Sequence, residues 1–344
     1  MSEGRLRPLI VPIFIPNQGC PHRCIFCEQE KITSQQGQLI NKQHVQEVLD
    51  KSIRSKGFAL RSRPEVAFYG GTFTRLPIER MRGLLQAVTP YISKGLFDSI
   101  RVSTRPDALD KERLELMKAN GVATVELGAQ SMDDEVLSLS QRGHTSEDTI
   151  KAVQTLRTGG FRVGIQLMPG LPGDSDEKFR STIDQVIDLH PDMVRLYPAV
   201  VIRGTELALW YRQGRYQPMT LEKAVEVCMD SCIRLEDKGI PVIRIGLMSS
   251  PSLLEKGQIV AGPWHTAFGF LVRSGIHHRR IEPFLPPPGT ASRINIRVPK
   301  REIPLVRGYR NQGLGLIENK IKARVIKVEP DDSVPPGTIR VEKA

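Results

Sequence analysis

Three cysteines near the start of the chain, Cys20, Cys24 and Cys27, stand in the string Gly19-Cys20-Pro21-His22-Arg23-Cys24-Ile25-Phe26-Cys27. Cluster irons are normally held by four cysteine thiolates, and structural zinc by four nitrogen or sulfur ligands. A loop that stops at three leaves one metal position open, where a substrate can coordinate. The spacing therefore predicts a 4Fe–4S cluster on Cys20, Cys24 and Cys27. The rival is a zinc ion that recruits His22 or a distant ligand. The remaining cysteines, Cys228 and Cys232, lie about 200 residues downstream, on one face of a helix expected over 221–238. They read as small buried hydrophobes, with a second metal role as the alternative.

Other polar and glycine residues fall where short apolar runs end. The runs are Leu9–Ile15, Val66–Tyr69, Ile100–Ser103, Val122–Leu127, Arg162–Met168 and Met193–Ala199, all rich in β-branched residues. Helical patterns follow the first five, over 42–56, 77–91, 110–119, 146–158 and 175–189. A seventh run, Pro241–Leu247, follows the long helix. This alternation specifies a parallel sheet with helices outside, and right-handed crossovers wind it toward a complete or open barrel. In such an α/β fold, chemistry gathers just past the C-terminal ends of the strands. Read in order, those places hold the cysteine loop, Gly70-Gly71-Thr72, Ser103-Thr104-Arg105, Glu126 to Gln130, Gln166 to Gly170, and Arg195 to Pro198. Glu126 reads equally as a ligand or a barrel-interior charge partner, and Tyr69 and Tyr197 equally as packing residues.

The chain has 344 residues, 40% hydrophobic and 25% charged, enough for one large domain and a small one. Met1–Arg7 and the short apolar stretch after it, broken by Pro12 and Pro16, give neither a membrane span nor a cleavage site. Five cysteines, three of them clustered, fit a reducing cytoplasm rather than a disulfide framework. The net charge is +11, and between Arg273 and Lys327 thirteen basic residues face three acids. A polyanion docking on this end follows; the plainer reading is a solvated basic surface.

Past Leu247, Gly262 to Phe268 leads into a helix, and Pro283–Pro288 makes a hinge. Then come an expected strand over Arg293–Val298, a helix over Leu314–Ile321 and a strand over Arg324–Val328. The expected domains are a barrel with its extension over 1–275 and a small basic α+β module over 276–344. In the module, Gly308-Tyr309-Arg310-Asn311 faintly resembles the G-x-x-G loop with which KH modules clamp nucleic-acid backbone, with Asn in place of the second glycine. Candidate RNA contacts are Arg297, Lys300, Arg301, Arg307, Gly308, Arg310, Lys320, Lys322 and Arg324. The string Arg310 to Gly315 also mimics an acetyltransferase pyrophosphate loop, but lacks the strands that build a coenzyme A site.

With these residues in view, the chain resembles radical S-adenosylmethionine (SAM) proteins of the elongator catalytic-subunit type, in a short form without the acetyltransferase half. The resemblance is carried by the cysteine loop, Phe68 to Thr74, Ser103 to Asp107, Glu126 to Ser131, Arg142-Gly143-His144 and Met168 to Gly173, over roughly residues 8 to 275. More distantly, the chain is similar to oxygen-independent coproporphyrinogen oxidases. The resemblance implies a partial barrel, a 4Fe–4S cluster and SAM as cofactors, and a 5′-deoxyadenosyl radical made when the reduced cluster cleaves SAM. It assigns Gly71, Thr72, Gln130, Arg142 and Gln166 to SAM; Gly70, Ser103 and Arg105 are added from their strand-end positions.

For full elongator proteins the resemblance implies modification of wobble uridine in tRNA. The expected activity here is a cytoplasmic, RNA-modifying radical enzyme, a transferase acting on tRNA and fed by an electron donor such as flavodoxin or ferredoxin. The competing readings are a radical enzyme acting on a small metabolite and a non-catalytic iron–sulfur RNA-binding protein.

Overall fold

A computed structural model of the chain describes residues 9–35, 39–58 and 64–344. The reading of Met1–Arg7 lies outside the described residues. The strands in chain order are β1 (Ile10–Phe14), β2 (Glu65–Tyr69), β3 (Ser99–Thr104), β4 (Val122–Gln130), β5 (Arg162–Leu167), β6 (Met193–Leu196), β7 (Val201–Ile202), β8 (Val242–Ile245), β9 (Ile259–Ala261), β10 (Arg293–Val298), β11 (Arg324–Pro330) and β12 (Arg340–Lys343). Seven of them form one parallel sheet in the order β1-β2-β3-β4-β5-β6-β8, with β1 and β8 as its edges. This is the expected partial (β/α) barrel. β7 and β9 make a separate antiparallel ribbon.

Side chains alternate across each strand, and the two faces of the barrel sheet differ sharply. Val66 and Phe68, Ile100 and Val102, Val125 and Leu127, Val163 and Ile165, and Val194 and Leu196 face the helices in one apolar core. The opposite positions, Glu65, Arg101, Glu126 and Arg195, build a polar interior. Arg101 bonds Glu65 Oε2 at 2.5 Å and Glu126 Oε1 at 2.6 Å, while Arg195 Nε lies 2.8 Å from Glu126 Oε2. Two of these carboxylates and the Arg101 guanidinium are at most 4% exposed, so their charges are matched inside rather than solvated. Glu126 is therefore a barrel-interior charge partner.

The helices begin where the sequence supplies caps. Asn41, Asp110, Thr145, Ser175 and Thr220 each accept a backbone N–H of the first turn. In the helix Leu221–Asp237, Cys228 and Cys232 are wholly buried within the apolar core, and burial pushes the Cys232 thiol up to about 12. They are packing residues.

The tail forms a three-stranded sheet, β11-β10-β12, in which β10 pairs parallel with β11 and antiparallel with β12. Helices Ile303–Arg307 and Gln312–Ile321 pack on it around a second apolar core of Ile281, Ile294, Ile296, Val306, Ile317 and Ile321. The helix Phe268–Ile281 joins this unit to the barrel, where Ser274 Oγ donates to Leu305 O at 2.7 Å. Among the described residues no helix is long and apolar enough to cross a membrane.

Candidate active site

The cysteine loop leaves β1 and turns back on the strand-end loop of β2. Glycine makes this possible: Gly19 and Gly71 have φ of +75° and +62°. A Cβ on Gly71 would press on the Ile15 carbonyl oxygen at 2.7 Å and collide with that of Gln18. The two loops are stitched together by backbone and side chain. Thr72 N donates to Gln18 O at 2.8 Å, and Gln29 Oε1 accepts from both Asn17 N and Gly71 N at 2.7 Å. Thr72 Oγ1 lies 3.4 Å from Cys20 Sγ. The Gly71 amide is thus committed to Gln29, and the Gly70–Thr72 turn offers a ligand its carbonyls and its shape.

All three cysteines are free thiols. Burial first, then the neighbouring Cys24 and Cys20, push the Cys27 thiol up to about 12, and burial also raises Cys20. The three sulfurs therefore sit within electrostatic reach of one another. Among the described residues no three His, Cys, Asp or Glu side chains converge tightly enough to hold a single metal ion. Three thiolates offered by one loop suit a cluster that takes one thiolate per iron. The Nε2 of His22, the residue a zinc site would recruit, lies 2.8 Å from Gln141 O and 3.3 Å from Arg105 Nη1.

β4 places the next residues. Its register with β5 shifts between Leu127 and Gln130, a bulge that brings Gln130 to a φ of +71°. Bulges re-aim side chains where a regular strand would point them elsewhere. Gln166 Nε2 on β5 donates to Gln130 Oε1 at 3.2 Å, joining two residues that the sequence assigned to SAM. Gly128, inside the bulge, accepts Arg142 Nη2 at 2.5 Å, and Arg142 Nη1 donates to Cys24 Sγ at 2.8 Å. Ser103 is half-buried on β3. Arg105 is bound bidentately by Asp107, at 2.8 and 3.1 Å, so it braces the cysteine loop through His22.

Below this level lies the charged interior, of which the strand-end reading held Glu126 and Arg195 but missed Glu65 and Arg101. Tyr69 OH donates to Glu126 Oε1 at 3.2 Å and accepts from Arg195 Nη2. Burial and then the Glu126 carboxylate push the Tyr69 phenol above its ordinary range, so it remains a donor. Arg101 could have been found from the alternation Ser99-Ile100-Arg101-Val102-Ser103. Gln29, two residues after the last cysteine, carries no local signal at all.

Phe26 packs between two apolar groups, Val201, Leu207 and Tyr216 on one side and Val136, Leu171 and Ala199 on the other. A cavity of ≈ 420 Å³ past the end of β5 is walled by Gly170, Asp174, Trp210, Arg215 and Tyr216, and another of ≈ 500 Å³ follows β8 near Arg244 and Phe268. Neither is lined by the cysteines.

Lys300, Arg301, Arg307, Arg310, Lys320, Lys322 and Arg324 are exposed. Arg307, Gly308 and Arg310 precede the ten-residue helix Gln312–Ile321, which is about 15 Å long, and Lys320, Lys322 and Arg324 lie at its end. Arg297 lies 3.0 Å from Glu342 and Lys320 pairs with Glu282. The sequence window stopped short of β12, whose pairing returns Glu342 to β10. Arg310 and Asn311 both have positive φ, 51° and 62°.

The chain matches the Radical SAM superfamily over residues 14–186 and the Radical_SAM C-terminal domain over residues 191–277. It is 37% identical over 183 residues to the tRNA uridine(34) acetyltransferase of Methanocaldococcus infernus, covering 47% of this chain and 34% of that protein. It is 30% identical over 183 residues to Elongator complex protein 3 of Homo sapiens, with the same coverage of 47% and 34%. The match thus spans about a third of the length of these curated relatives. The solved archaeal Elp3 of Methanocaldococcus infernus, with residues 1–46 deleted, superposes with a TM-score of 0.59 at 25% identity, covering 79% of this chain and 63% of that one. Three free thiols on one glycine-hinged loop at the C-terminal end of a parallel half-barrel, together with these matches, place the chain in the radical SAM superfamily, a family of enzymes that work with a 4Fe–4S cluster and SAM.

Proposed function

We propose that this protein is a radical SAM enzyme that modifies RNA, with tRNA as its substrate. One observation carries the catalytic part: Gln29 and Thr72 lock the Gly70–Thr72 turn onto the cysteine loop, with the linked Gln130 and Gln166 on neighbouring strands. In this reading Cys20, Cys24 and Cys27 hold the cluster. Gly70, Gly71, Thr72, Ser103, Gln130 and Gln166 receive SAM. When bound, these cofactors supply a 5′-deoxyadenosyl radical, which abstracts hydrogen from an unactivated C–H bond.

The chain's own residues orient and shield. Gln130 and Gln166 present amide donors and acceptors suited to ribose hydroxyls. Phe26 and its apolar neighbours exclude water beside the thiols. Arg105, neutralised by Asp107, fixes the His22 part of the loop. The Tyr69–Glu126–Arg195 contacts hold the strand ends in register beneath the turn.

The RNA part rests on the names of the relatives and on the basic module over 276–344, in which the exposed Lys300, Arg301, Arg307 and Arg310 flank Gly308 along the chain. The acetyl-transfer step of those relatives is not part of the proposal. An electron carrier such as flavodoxin or ferredoxin is the expected reductant.

Anaerobic reconstitution with iron and sulfide tests the catalytic part. It should give cluster charge-transfer absorbance and, with reductant, methionine and 5′-deoxyadenosine from SAM, both lost in Cys24→Ala. Absence of cleavage by a loaded wild type defeats the enzyme reading. Mass spectrometry of tRNA nucleosides from cells with and without the protein tests the substrate; identical profiles defeat tRNA and favour a small metabolite.

A further inference from the structure

The cavity of ≈ 420 Å³ past the end of β5 is lined by none of the residues assigned to the cluster or to SAM. The loop after β5 supplies Gly170, Leu171 and Asp174 to its wall. The helix Glu206–Arg212 supplies Trp210, and the turn behind that helix supplies Arg215 and Tyr216. The turn folds back because Gly214, at a φ of +70°, lets Arg215 N donate to Trp210 O at 2.8 Å. The Arg215 guanidinium lies over the Trp210 ring, 4.6 Å from its centroid. Trp210 is half-buried and Arg215 is exposed. The Arg215 side chain makes a long hydrogen bond of 3.4 Å to Gln213 Oε1, and among the described residues no carboxylate pairs with it. Its charge is therefore available to an anion at the cavity.

The rest of the wall is fixed before any ligand arrives. Tyr216, 7% exposed, donates its OH to Gly170 O at 2.6 Å, and Asp174 Oδ2 accepts Gly170 N at 2.8 Å. Asp174 Oδ1 accepts Ser175 N at 2.9 Å. Each oxygen of a carboxylate has two lone pairs, so Asp174 can still accept from a ligand. Phe26 packs against the apolar groups that contain Tyr216 and Leu171, and Leu207 N donates to Ile25 O at 2.8 Å. The cavity thus adjoins the cysteine loop.

An indole stacked with a guanidinium, an unpaired cation and a carboxylate with spare lone pairs suit a flat ligand with a negative charge and a donor edge. An unpaired nucleotide has all three features. Its base stacks on aromatic rings and on guanidinium planes, and its phosphate meets arginine. The exocyclic amino group of cytosine donates to a carboxylate, where uracil presents an acceptor. We propose that this cavity takes one unpaired, amino-bearing base of an RNA substrate, stacked on Trp210 and Arg215 and read by Asp174. The inference rests on the RNA reading and adds to it a base contact beside the cysteine loop, apart from the basic module.

The test is fluorescence anisotropy of labelled hexacytidylate and hexauridylate on the full-length protein at fixed salt, with tryptophan emission recorded alongside. Hexacytidylate should bind about fivefold more tightly than hexauridylate, as one net hydrogen bond gives, and should quench the emission of Trp210. In Trp210→Phe binding should persist while the quench is lost, Trp264 being the chain's other tryptophan. Trp210→Ala and Arg215→Ala should each weaken binding at least about fivefold. Arg212→Ala, which removes an exposed cation from the same helix end, should weaken it less than about twofold. Arg215 is exposed, so its variant serves if Trp210→Ala does not fold. Wild-type affinity in both variants, an equal loss in Arg212→Ala, or equal binding of the two oligonucleotides overturns the proposal and leaves RNA binding standing. Free cytidine monophosphate that binds as tightly as the oligonucleotide overturns it in favour of a small metabolite. A protein that binds neither oligonucleotide is a different result, which removes the RNA reading and this proposal with it.

Discussion

Gln29 and Gly71 are joined by a 2.7 Å hydrogen bond in which the glycine amide donates to the glutamine Oε1. The same oxygen accepts Asn17 N at 2.7 Å, so one side chain holds both halves of the candidate site.

Replacing Gln29 by Leu removes the acceptor for two half-buried amides. The expected loss is about 2–4 kcal/mol of stability, from roughly 1–3 kcal/mol per stranded donor less what water recovers. Urea unfolding of the metal-free protein measures it. Gly71→Ala should cost more than Gly95→Ala, since both have positive φ but a Cβ on Gly95 meets nothing within 4 Å. Equal losses in the two variants would show that the turn is not packed as described.

Glu126 is the carboxylate partner of Arg195 and one of two for Arg101. Glu126→Leu strands the Arg195 charge, and the expected cost is about 3–5 kcal/mol. In the double variant Glu126→Leu/Arg195→Met the loss should be smaller than in the single one. A double-mutant cycle with zero coupling would contradict the network.

His144 is buried, with Nε2 3.2 Å from Ala129 O on the bulge and Nδ1 unpartnered. Burial first, then the positive charges of Arg142 and Arg105, lower its pKa from 6.5 to about 4. The folded state thus binds its proton less readily than the unfolded chain. Its contribution to stability is full above pH 6.5 and is lost as pH falls toward about 4. The size is about 3 kcal/mol, at 1.4 kcal/mol per pKa unit. Denaturant midpoints at several pH values should show this loss in wild type and a shallower one in His144→Phe.

RNA binding should weaken as salt rises, because each neutralised phosphate releases counterions. Replacing Lys300, Arg301, Arg307 and Arg310 by Ala should flatten the log K against log salt slope by about 0.7 per lost contact on single-stranded RNA. Replacing Lys320, Lys322 and Arg324, at the other end of the helix, should change it less. Equal effects of the two sets would place the contact surface elsewhere.

Much of the frame was legible because its signals are local. Apolar runs alternating with helical patterns gave the seven barrel strands to within about three residues at each end, as well as the tail strands β10 and β11. Periodicity shows itself within a few residues of chain. β12, the ribbon of β7 and β9, and the helix Glu206–Arg212 were not anticipated; they are short and depend on partners distant in sequence.

The sequence by itself determined the donor set, three thiols on a short loop, and the strand-end places where a ligand could be met. Only the tertiary structure decided what each polar group faces. Arg105 turned out to be neutralised by Asp107, Arg142 to lie on Cys24, and Arg297 to lie beside Glu342. Spacing along a chain fixes which residues a loop or helix can offer together. A guanidinium's partner, by contrast, is set by which carboxylate, carbonyl or sulfur the folded backbone brings within about 3 Å, whether that group is a near neighbour in sequence, as for Arg105, or 118 residues away, as for Arg142.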